Sequence, residues 1–116
     1  MHTVHLRILI ERKTRREGPV LAPDKVAETA VQALLDGTKG RIRGFNMEGY
    51  RWMSKEGTAP TVALSSLVEG WDRELEGDVR RILAGLCREL DQDAIAVALS
   101  PAESFTVHWD GRVEML

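Results

Sequence analysis

Between residues 71 and 90 the apolar side chains fall on one helical stripe. Trp71, Leu75, Val79, Ile82, Leu83, Leu86 and Leu90 recur at the helical period, and Arg73, Glu74, Arg80, Arg81 and Arg88 occupy the opposite face. This predicts an amphipathic helix of about five turns. Gly77 and Gly85 interrupt it at a cost of ~1 kcal/mol each relative to alanine, which suggests that something approaches closely there. A helix with one dry face must lay that face on another layer, so the remaining elements have to supply a sheet or a second helix.

They supply both. Val4, Leu6, Ile8 and Ile10 alternate with polar residues and predict a strand with one buried face. After the loop "ERKTRREGPVLAP", Asp24 marks a helix start, and Val26, Ala27, Ala30, Val31, Leu34 and Leu35 form its stripe, with Gly37 as the stop. From Arg41 to Met53 the pattern is strand-like, but its apolar parity changes across Gly49. A glycine at that change predicts a β-bulge. "SKEG" reads as a turn and Thr61 to Val68 as the return strand. "AIAVAL" is a short, more deeply buried strand.

The tail "ESFTVHWDGRVEML" predicts a hairpin. A turn on Trp109-Asp110, with Gly111 as a bulge, pairs Val107 with Val113 and Phe105 with Met115, which gives one apolar face. The expected fold is α+β. A ferredoxin-like βαββαβ two-layer sandwich spans residues 3–100, in strand order 4-1-3-2, and an additional C-terminal β-hairpin spans 104–116, all within one domain, 1–116. The hairpin must extend an edge, cover the open sheet face, or swap onto another copy.

The chain has 116 residues, enough for one self-supporting core. Its single cysteine, Cys87, rules out an internal disulfide and agrees with a reducing, cytoplasmic setting. No apolar run reaches the ~20 residues of a membrane span, and the opening residues lack a signal-peptide core. Charge is uneven. Residues 1–58 hold eleven Lys/Arg and seven Asp/Glu, a balance of +4, and residues 59–116 hold five and eleven, a balance of −6.

Catalytic and phosphate-binding signatures are absent, and nothing calls for a cofactor or a metal. His2 and His5 alternate across a strand and make a poor metal pair. His5 meets His108 only if the hairpin folds over the open face. Cys87 lies beside the buried stripe and reads as an inert packed thiol. Ser65, Ser66 and Ser100 have no recognisable base, and Asp91 and Asp93 read as a charged loop.

Two clusters stand out. Arg12, Lys13, Arg15 and Arg16, joined by Arg51 and Lys55 from the end of the second strand, form a basic end suited to phosphates. Glu89, Asp91 and Asp93 would neutralise part of it. Tyr50, Arg51, Trp52 and Trp109 are residue types enriched at interface centres. The leading expectation is therefore a small non-catalytic interaction protein, a regulator, inhibitor or accessory subunit. It would bind a second copy, as a homodimer, or another protein through an open, largely apolar sheet face or edge. One alternative is single-stranded nucleic acid or polyanion binding at the basic loop. Another is a small enzyme or ligand-binding domain, with His5, Tyr50 and His108 in a pocket between sheet and hairpin.

Overall fold

The computed structural model describes residues 3–14, 18, 20–54, 57–101 and 105–115, and the side chains of 48–60 lie outside that description. The elements run β1 (Val4–Glu11), α1 (Pro23–Gly37), β2 (Asn46–Ser54), β3 (Gly57–Val68), α2 (Arg73–Glu89), β4 (Ala94–Ser100), β5 (Phe105–His108) and β6 (Val113–Met115). The strands form one antiparallel sheet in the order β2-β3-β1-β4-β5-β6. The architecture is α+β, with two helices and six strands among the described residues.

Both helices share one core with one face of the sheet. Val4, Leu6, Ile8 and Ile10 of β1 pack there with Val62 and Leu64 of β3 and with Ile95, Val97 and Leu99 of β4. Val26, Ala30 and Leu34 of α1 and Leu75, Val79, Leu83 and Leu86 of α2 cover them. The alternation seen in β1 is thus the burial pattern itself. The side chain of Asp72 caps α2 by accepting a hydrogen bond from the Leu75 N–H, and Pro23 opens α1 at a position where no N–H is needed.

The hairpin extends the sheet at the β4 edge. Its register pairs Phe105 with Met115 and Val107 with Val113, and Gly111 takes the positive φ of +88° that the turn demands. Phe105 and Val107 are thereby carried into the core against α2. Arg80 does not simply face water. Its guanidinium lies 4.8 Å from the Phe105 ring centroid and 3.1 Å from Glu76, so it roofs the start of the hairpin.

Four local expectations need correction. β2 begins at Asn46, not near Arg41. Its register with β3 runs unbroken through Gly49↔Val62, so no bulge exists there. Gly37 does not end α1 in a left-handed conformation; it is the last helical residue, and the positive φ values fall on Lys39 and Gly40. Its role is close packing: a Cβ at Gly37 would come within 2.8 Å of Ile82 Cγ1, and closer still to Cδ1. At Gly77 and Gly85 a Cβ would meet open space, so neither serves a close approach.

Among the residues whose side chains are described, the outer sheet face is mostly small or polar rather than the apolar surface expected. It carries His5, Arg7 and Leu9 on β1, Ala63, Ser65 and Leu67 on β3, and Ala94, Ala96 and Ala98 on β4. Small side chains dominate, and of the large apolar ones only Leu67 is well exposed among the described residues.

Candidate functional site

A broad recess lies at the end of the sheet where β1 begins. It is a cleft of about 1010 Å³ between the loop 39–46 and the end of β3, closed by the turn into α2. Its existence follows from a mismatch in strand length. β3 continues through Ser66, Leu67 and Val68 alongside β1, whereas β2 first pairs with it at Asn46↔Ser65. Beyond that pair the β2 side of β3 has no neighbouring strand, and the loop stands off across a notch.

The loop is held there by its own chemistry. Thr38 is buried; its hydroxyl donates to the Leu34 carbonyl at 2.7 Å and accepts from the Ile42 N–H at 3.4 Å. Ile42 thereby turns back into the core, 1% exposed. Arg41 reaches the other wall. Its guanidinium donates to both carboxylate oxygens of Asp72, at 3.1 and 2.9 Å, and to the Gly70 carbonyl at 2.6 Å. The bond from Arg41, then that from the Leu75 N–H, holds the Asp72 carboxyl below its ordinary range, and the same partner raises Arg41. This fork clamps the loop to the start of α2.

The remaining charges in the cleft are uncommitted. Lys39 and Arg43 on the loop and Glu69 on the opposite wall form no ion pair with any described residue. Phe45, half-buried against the core, offers an apolar face beside them. Ser65 and Ser66 line the floor at 5% and 8% exposure, and neither hydroxyl has a hydrogen-bond partner among the described residues. Neither hydroxyl is a fully buried unsatisfied atom, and as neighbours in a strand the two side chains project to opposite faces of the sheet. The arrangement suits a ligand of mixed character: charged at one end, flat and hydrogen-bonding at the other.

Of these cleft residues, the sequence marks only Ser65 and Ser66 as candidates, and without a recognisable base. The signal was present in "GTKGRIRG", where Lys39, Arg41 and Arg43 are interleaved with Gly37, Gly40 and Gly44. The expected basic end is at the opposite end of the sheet, where Glu11 pairs with Thr61. There Arg12 braces its own loop, its Nε donating to the Leu21 carbonyl at 2.8 Å, and the Lys13 carbonyl accepts from Gln92. Lys13 shares a smaller recess with Glu11 and Asp93, so acid does mingle with base at that end. Arg15, Arg16 and Lys55 lie outside the described residues. Tyr50, Arg51 and Trp52 are placed by backbone register alone, opposite Thr61, Pro60 and Ala59.

Trp109 is in the hairpin turn, 45% exposed, and its carbonyl accepts from Arg88. His108 is paired with Ala94 in the sheet, and its Nε2 is 3.2 Å from Glu114. His5 pairs with Leu67 and Ser100. The hairpin extends the sheet edge rather than folding over the sheet, and His5 and His108 stand on β1 and β5, with β4 between them. Cys87 is buried with its thiol 3.6 Å from the Val107 carbonyl, and burial pushes it up to about 11. No group of His, Cys, Asp and Glu among the described residues is arranged to hold a metal, and no described helix is long and apolar enough to cross a membrane.

No family model and no curated protein matches the chain. Solved structures do. A phage SAM lyase in complex with S-methyl-5'-thioadenosine superposes with a TM-score of 0.63 at 16% identity, over 98% of this chain and 88% of that one. The apo state of a phage SAM lyase gives 0.64 at 16% identity, over 97% and 87%. At this identity the likeness is one of fold. It nevertheless corrects the expectation of a non-catalytic interaction protein. That expectation rested on missing signatures and an open sheet face, whereas the fold is one that an enzyme of similar length uses.

Proposed function

We propose that the chain is a small enzyme that binds an S-adenosylmethionine-like sulfonium in the cleft between loop 39–46 and β3, and breaks a carbon–sulfur bond. The observation that carries this reading is the backbone likeness to phage SAM lyase along nearly the whole chain, joined to a cleft whose charges are unspent. We also read β1 to β4, lying in the order β4-β1-β3-β2 with two helices on one face, as a ferredoxin-like core with an appended hairpin in one domain.

The chemistry asks little of the protein. A sulfonium carries its own leaving group: the electron pair of the broken bond goes to sulfur, and a neutral thioether departs. The remaining fragment closes its valence by losing a proton to a base or by bonding to its own carboxylate oxygen. Neither route consumes water or a second substrate, so orientation and electrostatics supply the catalysis. Glu69 offers an anion for the sulfonium or the ammonium, and Lys39 and Arg43 offer cations for the carboxylate. The Arg41–Asp72 clamp holds the two walls in place.

The test is incubation with S-adenosylmethionine, followed by mass spectrometry for methylthioadenosine and the four-carbon product. Enzymatic release above the heat-killed control is expected. Glu69→Gln should slow it by roughly a hundredfold, the scale of losing one electrostatic partner of the reacting charge. No release and no calorimetric binding at millimolar substrate would overturn the reading.

A further inference from the structure

The geometry points to the free edge of β3 as the element that reads the ligand's base, through the backbone of Leu67 or Val68. This rests on the nucleoside reading above and assigns the recognition within it.

In an antiparallel sheet, successive residues direct their N–H and C=O groups to opposite neighbours. β1 lies on one side of Leu67 and Val68, and β2 has not yet begun on the other. One of these two residues therefore presents an N–H and a C=O side by side into the notch. No turn or loop backbone among the described residues bonds to either. The neighbouring Gly70 carbonyl is already taken by Arg41, so the open pair is confined to the notch floor.

A bare strand edge ordinarily attracts another strand. Here the unpaired stretch is Ser66, Leu67 and Val68, at the ~3-residue lower limit of a strand. Loop 39–45 walls it off, and Arg41 fixes that wall. What remains is a slot for a small flat group with an acceptor beside a donor. The Watson–Crick edge of adenine has that pattern, with N1 accepting and the 6-amino group donating. Phe45 borders the same slot and supplies a stacking face. The charged residues Lys39, Arg43 and Glu69 are then left for the amino-acid end.

The experiment is titration of ¹⁵N-labelled protein with 5'-methylthioadenosine and, separately, 5'-methylthioinosine. In the inosine compound N1 becomes a donor and position 6 an acceptor, so the pattern is reversed. The adenosine compound should shift and protect the amide of Leu67 or Val68. The inosine compound should bind roughly tenfold or more weakly, the scale of a mismatched buried donor and acceptor. Equal affinity for the two nucleosides, or shifts that spare residues 65–68, would overturn the assignment; turnover of S-adenosylmethionine alongside that result would leave the lyase reading standing. Failure of both nucleosides to bind would remove assignment and reading together.

Discussion

Replacing Gly37 with alanine tests whether the two helices meet as described, because two opposing effects have calculable sizes there. Alanine in place of a helical glycine gains ~0.5–1 kcal/mol from reduced backbone entropy. Against this, the new Cβ would lie 2.8 Å from Ile82 Cγ1 and nearer to Cδ1, so the Ile82 side chain must give way. Overpacking of this kind costs ~1–3 kcal/mol, so the net effect is a loss of about 1–2 kcal/mol. For a domain of this size that lowers Tm by roughly 4–8 °C. Ile82→Ala removes both offending atoms. Ile82 is only partly buried, so its own cost lies near or below the ~2 kcal/mol floor for buried isoleucine truncation. In that background Gly37→Ala should change sign and stabilise. The assay is urea denaturation of the four proteins of the double-mutant cycle, with a coupling of ~1–3 kcal/mol expected. A Gly37→Ala protein that is equally destabilised with and without Ile82 would refute the contact.

Two other outcomes follow from the geometry. Cys87 should resist a thiol reagent at pH 8 in the native protein and react at once on unfolding, since with a value of about 11 only about one thiol in a thousand is ionised there and the core covers it; stoichiometric native labelling would contradict its burial. Asp72 has a folded value below its unfolded one, so its contribution to stability is present above the ordinary carboxylate range and is lost as pH falls through the lowered value. Asp72→Asn should therefore flatten the fall in Tm between about pH 5 and pH 2, and an unchanged acid slope would show that the Arg41 clamp is not formed.

The sequence is most legible where side-chain period and turn chemistry agree. The stripe of α2 is explicit, and the hairpin register follows from Val107 opposite Val113 with Gly111 in the turn. The start of β2 is not legible. Ile42 and Phe45 continue an apolar pattern that resembles a strand, yet Ile42 is buried by a turn and Arg41 is engaged with a residue of another element. Those few residues are what open the notch, so an error in one strand boundary concealed the site. Gly49 misled for a related reason: parity in a sequence reports which face is apolar, and near a sheet edge that face can change without a bulge. Ser65 and Ser66 likewise look unremarkable until the missing neighbour of β3 is seen.

The placement of β1 carries a consequence for how the molecule assembles. It is the earliest strand in the chain, yet both of its partners, β3 and β4, are made much later, and neither lies next to it in sequence. Its hydrogen bonds must wait while a helix, a hairpin and a second helix emerge, so closure of the sheet is a late, non-local event, and the nascent N-terminal half carries an unpaired strand with apolar alternation.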